Sequence, residues 1–165
     1  MTRRFTKSLE VAVNLALLCA FLAVATVAVK RFWSPQQTLL QPTVGTKLSL
    51  QGPNWSSARE NLVLVLSVGC HYCSESAEFY KKLVPAASDA RLHVLAILPQ
   101  TPSESRAYLD KLGVSIQDIF ESPLHSVDTS GTPTLLLVDQ SGRIEKTWVG
   151  KLNAEREQQV LASLH

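Results

Sequence analysis

The chain reads as an α/β domain, a central mixed β-sheet flanked by helices, preceded by one N-terminal transmembrane helix. Three observations carry that prediction. Val11 to Val29 is a run of nineteen residues without a formal charge. Downstream, short Val- and Leu-rich runs alternate with stretches of helical periodicity, the pattern of βαβ units. The last third places two strand-like runs around Ser141-Gly142 and then a helical stretch, which gives the second half a ββα order.

The first element is the apolar run. At 1.5 Å rise per residue it nearly spans a hydrocarbon core of about 30 Å. Phe5 precedes it and Phe32-Trp33 follow, as interfacial aromatics would. Arg3, Arg4 and Lys7 lie before it, Lys30 and Arg31 after it, so the basic excess favours a cytoplasmic N-terminus. Ala23-Val24-Ala25 resembles a signal-peptidase site, but the apolar run continues past it, and an uncleaved signal-anchor is the better reading. The expected organisation is residues 1–10 cytoplasmic, 11–31 the membrane span, 32–42 a linker with two prolines and three glutamines, and 43–165 one globular domain. That topology places the domain on the periplasmic, extracytoplasmic side of the inner membrane.

Leu62–Val68 is continuous, Val-rich and too short for a helix, so it is expected to form a buried strand. Ser74 to Leu83 carries Ala77, Tyr80, Leu83 and Val84 at helical spacing, with Pro85 expected to end the helix. Leu92–Leu98 is a second strand. Ser103 to Leu112 is a helix with Gly113 as its left-handed stop. Val114–Phe120 contains a further short element. Thr134–Asp139 and Arg143–Val149 form a hairpin, and Asn153 caps a last helix through Leu164.

Charge narrows the function classes. Residues 1–31 hold five Lys or Arg and one acid, leaving eleven basic and thirteen acidic residues in the remainder. A domain of net −2 without a basic stripe is not built for nucleic acid.

The chemistry lies in Cys70-His71-Tyr72-Cys73, at the junction of the first strand and the following helix. A cysteine at a helix N-terminus faces unpaired N–H groups and the positive end of the helix dipole, which favour its thiolate. A second cysteine one turn later can attack a mixed disulfide formed by the first. Structural zinc needs four ligands, and the only other cysteine, Cys19, sits in the apolar run as a small filler. A structural disulfide closing so short a loop would remove little chain entropy. A redox dithiol is therefore the leading reading, with the metal site and the structural bridge behind it.

Three segments in order resemble the thioredoxin-like superfamily, and the layout is most similar to its membrane-tethered TlpA/ResA branch. They are Leu64–Cys73, then Gly131-Thr132-Pro133-Thr134 running into a strand, then the hairpin Asp139–Gly150. The resemblance covers roughly Val44 to Leu164. It implies a thioredoxin-like fold, a redox-active disulfide between Cys70 and Cys73, and a cis Thr132–Pro133 bond. Thr132 and Pro133 would then face the Cys70 sulfur and offer backbone groups to an extended substrate segment.

The chain departs from that pattern in three places. Gly69 stands where thioredoxins usually carry Trp. Leu64 occupies the position of the buried acid, so Glu75 or Glu78 is the suggested proton acceptor for Cys73. Glu78 replaces the proline that kinks the helix. His71 and Tyr72 are the tuning positions, because a protonated imidazole beside the nucleophile would favour the thiolate. His93 and Tyr80 read as ordinary strand and helix residues, and His125 as a solvated loop histidine.

The expected function is thiol–disulfide exchange with protein substrates outside the cytoplasm, with the layout favouring a reductase and His71 pulling toward an oxidant. The cysteine pair is itself the cofactor and no metal is required. A membrane redox partner would carry electrons to or from it. The alternative is a thioredoxin-fold copper chaperone, in which two thiolates and His71 or His125 bind Cu(I); such chaperones, however, space their cysteines by three residues. A peroxiredoxin fits less well still, since Ser67-Val68-Gly69-Cys70 lacks the upstream proline of that family.

Overall fold

The computed structural model describes residues 42–129 and 131–164, together with Leu17, Leu18 and Phe21, which are helical. The boundaries expected at 1–10, 11–31 and 32–42 fall outside those residues apart from these three and Pro42. Among the described residues no helix is long and apolar enough to cross a membrane. The chain divides into two compact units, Met1–Gln37 and Thr38–His165, and the second holds the α/β domain.

Its elements are β1 (Glu60–Val65), α1 (His71–Glu75), α2 (Ala77–Asp89), β2 (His93–Leu98), α3 (Pro102–Leu112), β3 (Asp118–Glu121), β4 (Thr134–Asp139), β5 (Ile144–Val149) and α4 (Ala154–Ala162). The sheet order is β3-β2-β1-β4-β5. β1 pairs parallel with β2 and β2 with β3, whereas β4 runs antiparallel to both β1 and β5. The mixed sheet and the expected βαβ-then-ββα order are both present.

β1 is central, and its alternate residues feed two cores. Leu62, Leu64 and Leu66 pack with Tyr80, Leu83, Leu109 and Val160 from α2, α3 and α4. Val63 and Val65 pack on the other face with Leu95, Ile97, Leu136 and Val138. That second face is closed by Leu48, Trp55, Leu124 and Val127, from the N-terminal segment and two short 3-10 turns, Trp55–Ser57 and Leu124–Val127. A strand buried on both sides must be apolar throughout, which is why Leu62–Leu66 shows no polar alternation.

Three helix boundaries differ from expectation. The helix after Cys70 breaks at Ser76, whose φ of −91° and ψ of 3° separate α1 from α2. Ser76 Oγ donates to Tyr72 O at 2.8 Å alongside the Ser76 backbone N–H, which reaches the same carbonyl at 3.2 Å, a side-chain back-bond of the kind that bends a helix without a proline. Pro85 does not end the helix: it lies inside α2, which runs on to Asp89. Proline removes one i→i−4 bond. The carbonyl affected is that of Lys81, on the exposed side, while Leu83, Val84 and Ala87 anchor the buried side around it. α3 begins earlier than expected, on a capping box between Thr101 and Glu104, and stops at Gly113 with φ of 71°.

The buried polar residue Asn61 ties the N-terminal end of the sheet together. Its Nδ2 donates to Trp55 O at 3.0 Å, its Oδ1 lies 3.1 Å from His93 Nδ1, and His93 Nε2 lies 2.6 Å from Asp118 Oδ2. His93 is thus a bonded strand residue at the opposite end of β1 from the cysteines.

Candidate active site

The loop from β1 to α1 delivers both cysteines. Gly69 adopts φ of 80°, turning the chain so that Cys70 becomes the N-cap of α1. The amide of Cys73 points at Cys70 Sγ, at 3.2 Å, so an unpaired N–H at the helix start is aimed at the sulfur that would carry charge. Gln100, just beyond β2, braces this loop: its Oε1 accepts from Val68 N at 3.1 Å and its Nε2 donates to Ser67 Oγ at 3.3 Å.

Cys70 and Cys73 are joined as a disulfide with their Cα atoms 5.3 Å apart. Their environments differ. Cys73 is fully buried in the helix-side core, whereas Cys70 is half-buried at its edge. A nucleophile must be reached from outside and a resolving thiol need only reach its neighbour, so the burial matches Cys70 to the first role and Cys73 to the second.

The Thr132–Pro133 bond is cis, as the resemblance implies, and Thr132 O lies 3.4 Å from Cys70 Sγ. Gly150 N donates to Pro133 O at 2.7 Å, fastening this loop to the end of β5. Tyr72, Gly131, Thr132, Val149, Gly150 and Lys151 line a groove of about 350 Å³ beside the cysteines. Tyr72 is 57% exposed there, available to whatever enters.

His71, expected to favour the Cys70 thiolate when protonated, has a carboxylate as its neighbour. Its Nε2 lies 3.2 Å from Glu75 Oε1, with 78% of the side chain exposed. The other oxygen of Glu75 is bonded by Lys151 Nζ at 3.0 Å. That Lys151 hydrogen bond, ahead of the Lys151 and His71 charges, holds the Glu75 carboxyl below the usual carboxylate range. Glu78 is held low in the same way by Lys81 at 2.7 Å. Both carboxylates suggested as proton acceptors for Cys73 are thus engaged with lysines and favour the ionised form. His125 is exposed in the turn Leu124–Val127. Leu64, at the position of the missing acid, is fully buried.

Sequence reasoning missed Gln100 and Lys151. The signal for Gln100 was topological, because loops at the same ends of adjacent parallel strands are neighbours. Lys151 carried no short-range signal: its partner Glu75 lies 76 residues away.

No protein-family profile matches the sequence, and no curated protein does. Solved structures do match. A putative thiol:disulfide interchange protein DsbE from Chlorobium tepidum aligns with a TM-score of 0.54 at 18% identity, over 67% of this chain and 83% of that one. The thioredoxin domain of a thiol-disulfide oxidoreductase from Bacteroides vulgatus gives 0.54 at 16% identity, over 76% and 98%. StoA from Bacillus subtilis gives 0.52 at 16%, over 73% and 98%. At such identities the likeness is one of fold. The domain has the thioredoxin-like fold, with a CxxC cysteine pair at the start of the helix that follows its central strand.

Proposed function

We propose that this chain is a membrane-anchored thiol–disulfide oxidoreductase acting on protein cysteines outside the cytoplasm, and that it works as a reductase. The observation that carries the reading is the unequal pair: Cys70 half-buried with a helix N–H on its sulfur, Cys73 fully buried one turn away. The Cys70 thiolate attacks a substrate disulfide, forming a Cys70–substrate bond and releasing one substrate thiolate. The Cys73 thiolate then attacks Cys70 Sγ, expels the second substrate thiol and leaves the Cys70–Cys73 disulfide. Two electrons pass from the protein to the substrate. Thr132 and Pro133, beside Cys70, present backbone to the incoming chain.

The reductase direction draws support from His71. A group that favours the thiolate stabilises the reduced protein and makes its disulfide more oxidising. Here the imidazole faces a carboxylate at 3.2 Å, so much of its field at the sulfur is cancelled. The same contact weighs against copper binding, which would recruit His71 or His125 as a third ligand. The uncharged run Val11–Val29 supports the anchor, and a partner in the membrane would supply the electrons.

The test is trapping in cells. Cys73→Ser should accumulate mixed disulfides with protein substrates, and Cys70→Ser should accumulate none. Mixed disulfides on both variants, or on neither, would overturn the assignment. A wild-type potential nearer about −270 mV than about −120 mV would fix the direction as reducing.

A further inference from the structure

We propose that Glu75 is a positioning residue that sets the redox poise of the Cys70–Cys73 pair by holding Lys151 and His71 in ion pairs beside the groove. The inference rests on the thiol–disulfide reading above. Each carboxylate oxygen has its own cation: Oε2 takes Lys151 Nζ at 3.0 Å and Oε1 takes His71 Nε2 at 3.2 Å. These two face Glu75 from different places, His71 from the first turn of its own helix and Lys151 from the segment after β5.

The location gives the arrangement its consequence. Lys151 and Tyr72 line the same groove as Thr132, and Thr132 O lies 3.4 Å from Cys70 Sγ. His71 is next to Cys70 in sequence. Without Glu75, the Lys151 cation on the groove and the imidazole next to Cys70 in the chain would lose their counter-charge, and positive charge near the site favours a thiolate. With Glu75 ionised between them, the sulfur has mainly the helix N-terminus to stabilise its charge. Lys151 holds the Glu75 carboxyl low, so the carboxylate persists throughout the range in which thiols exchange. The Glu75–Lys151 bridge therefore acts on the dithiol by cancelling charge, and the two residues should push the equilibrium in opposite directions. A purely structural tie would not do this, because breaking it from either end has the same effect.

The experiment equilibrates the purified full-length chain with glutathione buffers, in which the Cys70–Cys73 disulfide and two glutathione thiols give the dithiol and one glutathione disulfide. Glu75→Gln should shift that equilibrium toward the reduced protein by about tenfold, which is about 30 mV more positive. Lys151→Gln should shift it the other way, the double variant should lie near wild type, and Glu75→Asp, which keeps the charge, should stay close to wild type. The alkylation rate of Cys70 should respond at lower pH in Glu75→Gln. Thermal unfolding of the oxidised variants confirms that each is folded. Shifts of the same sign in both single variants, or no shift in either, would overturn the proposal while leaving the exchange activity standing. A wild-type pair that fails to cycle with glutathione would overturn the underlying reading and this inference together.

Discussion

Gly69 holds φ at 80° immediately before Cys70, and a Cβ built there meets nothing within 4 Å. The backbone, not crowding, therefore demands glycine. An L-residue in that region costs about 1–2 kcal/mol, so a side chain at the position where thioredoxins carry Trp could be held only against strain or after the turn reshapes. With no side chain at Gly69, exposed Tyr72 is the aromatic beside the site. Gly69→Ala should lower the stability of the oxidised protein by about 1–2 kcal/mol in denaturant melts. A variant as stable as wild type would mean that the turn relaxes to negative φ, and Cys70 alkylation should then change, since the Cys73 N–H would no longer be aimed at its sulfur.

At the scale of elements, the β4–β5 hairpin shows local chemistry that sequence reports well. Asp139 accepts from Ser141 N at 2.8 Å, Ser141 Oγ at 2.7 Å and Arg143 N at 2.9 Å. The Arg143 N–H, ahead of the Ser141 hydroxyl, holds its carboxyl below the usual carboxylate range. A carboxyl whose folded value is lowered contributes stability that is complete above its unfolded value of about 3.9 and lost as pH falls through the folded one. Asp139→Ala should therefore cost about 1 kcal/mol at pH 7, with the gap to wild type closing below about pH 4. A gap constant from pH 7 to pH 3 would contradict the charge-based account. What was legible in the sequence has this same character. Strand runs, the Asn153 cap, the Gly113 stop and the Ser141-Gly142 turn are set by neighbours a few residues apart. What was not legible depends on contacts far along the chain or on which side of an element meets water. Pro85 sits inside α2 on its exposed side, as does Lys81, whose carbonyl it leaves without an N–H. The break at Ser76 depends on a hydroxyl finding Tyr72 O, and the turns Trp55–Ser57 and Leu124–Val127 form where they close the second sheet face. At the site, the cysteine pair and the Thr132–Pro133 loop were visible as motifs. The Gln100 brace and the Glu75–Lys151 pair depend on β2 and β5 ending beside the cysteines, which no local pattern records.

For the whole molecule, the proposed function turns on the proposed anchor and on which side of a membrane it would place the domain. A dithiol held beside an open groove exchanges with what its compartment supplies, and disulfides in protein substrates persist mainly outside the cytoplasm. The N-terminal flank carries Arg3, Arg4 and Lys7 against Lys30 and Arg31 on the far side. For the proposed anchor, that excess of a single charge would point the N-terminus inward. So small a bias can be reversed by little, which makes the orientation testable from both directions. Alkaline phosphatase fused after His165 should be active and a fluorescent protein at the same place dark. Replacing Arg3 and Arg4 with neutral residues while adding two lysines after Arg31 should invert or mix the orientation, with phosphatase activity falling and fluorescence appearing. A bright, phosphatase-negative fusion of the unaltered chain would place Cys70 and Cys73 in the cytoplasm. There the pair would meet a reducing thiol pool, and the proposed extracytoplasmic substrates would be out of its reach.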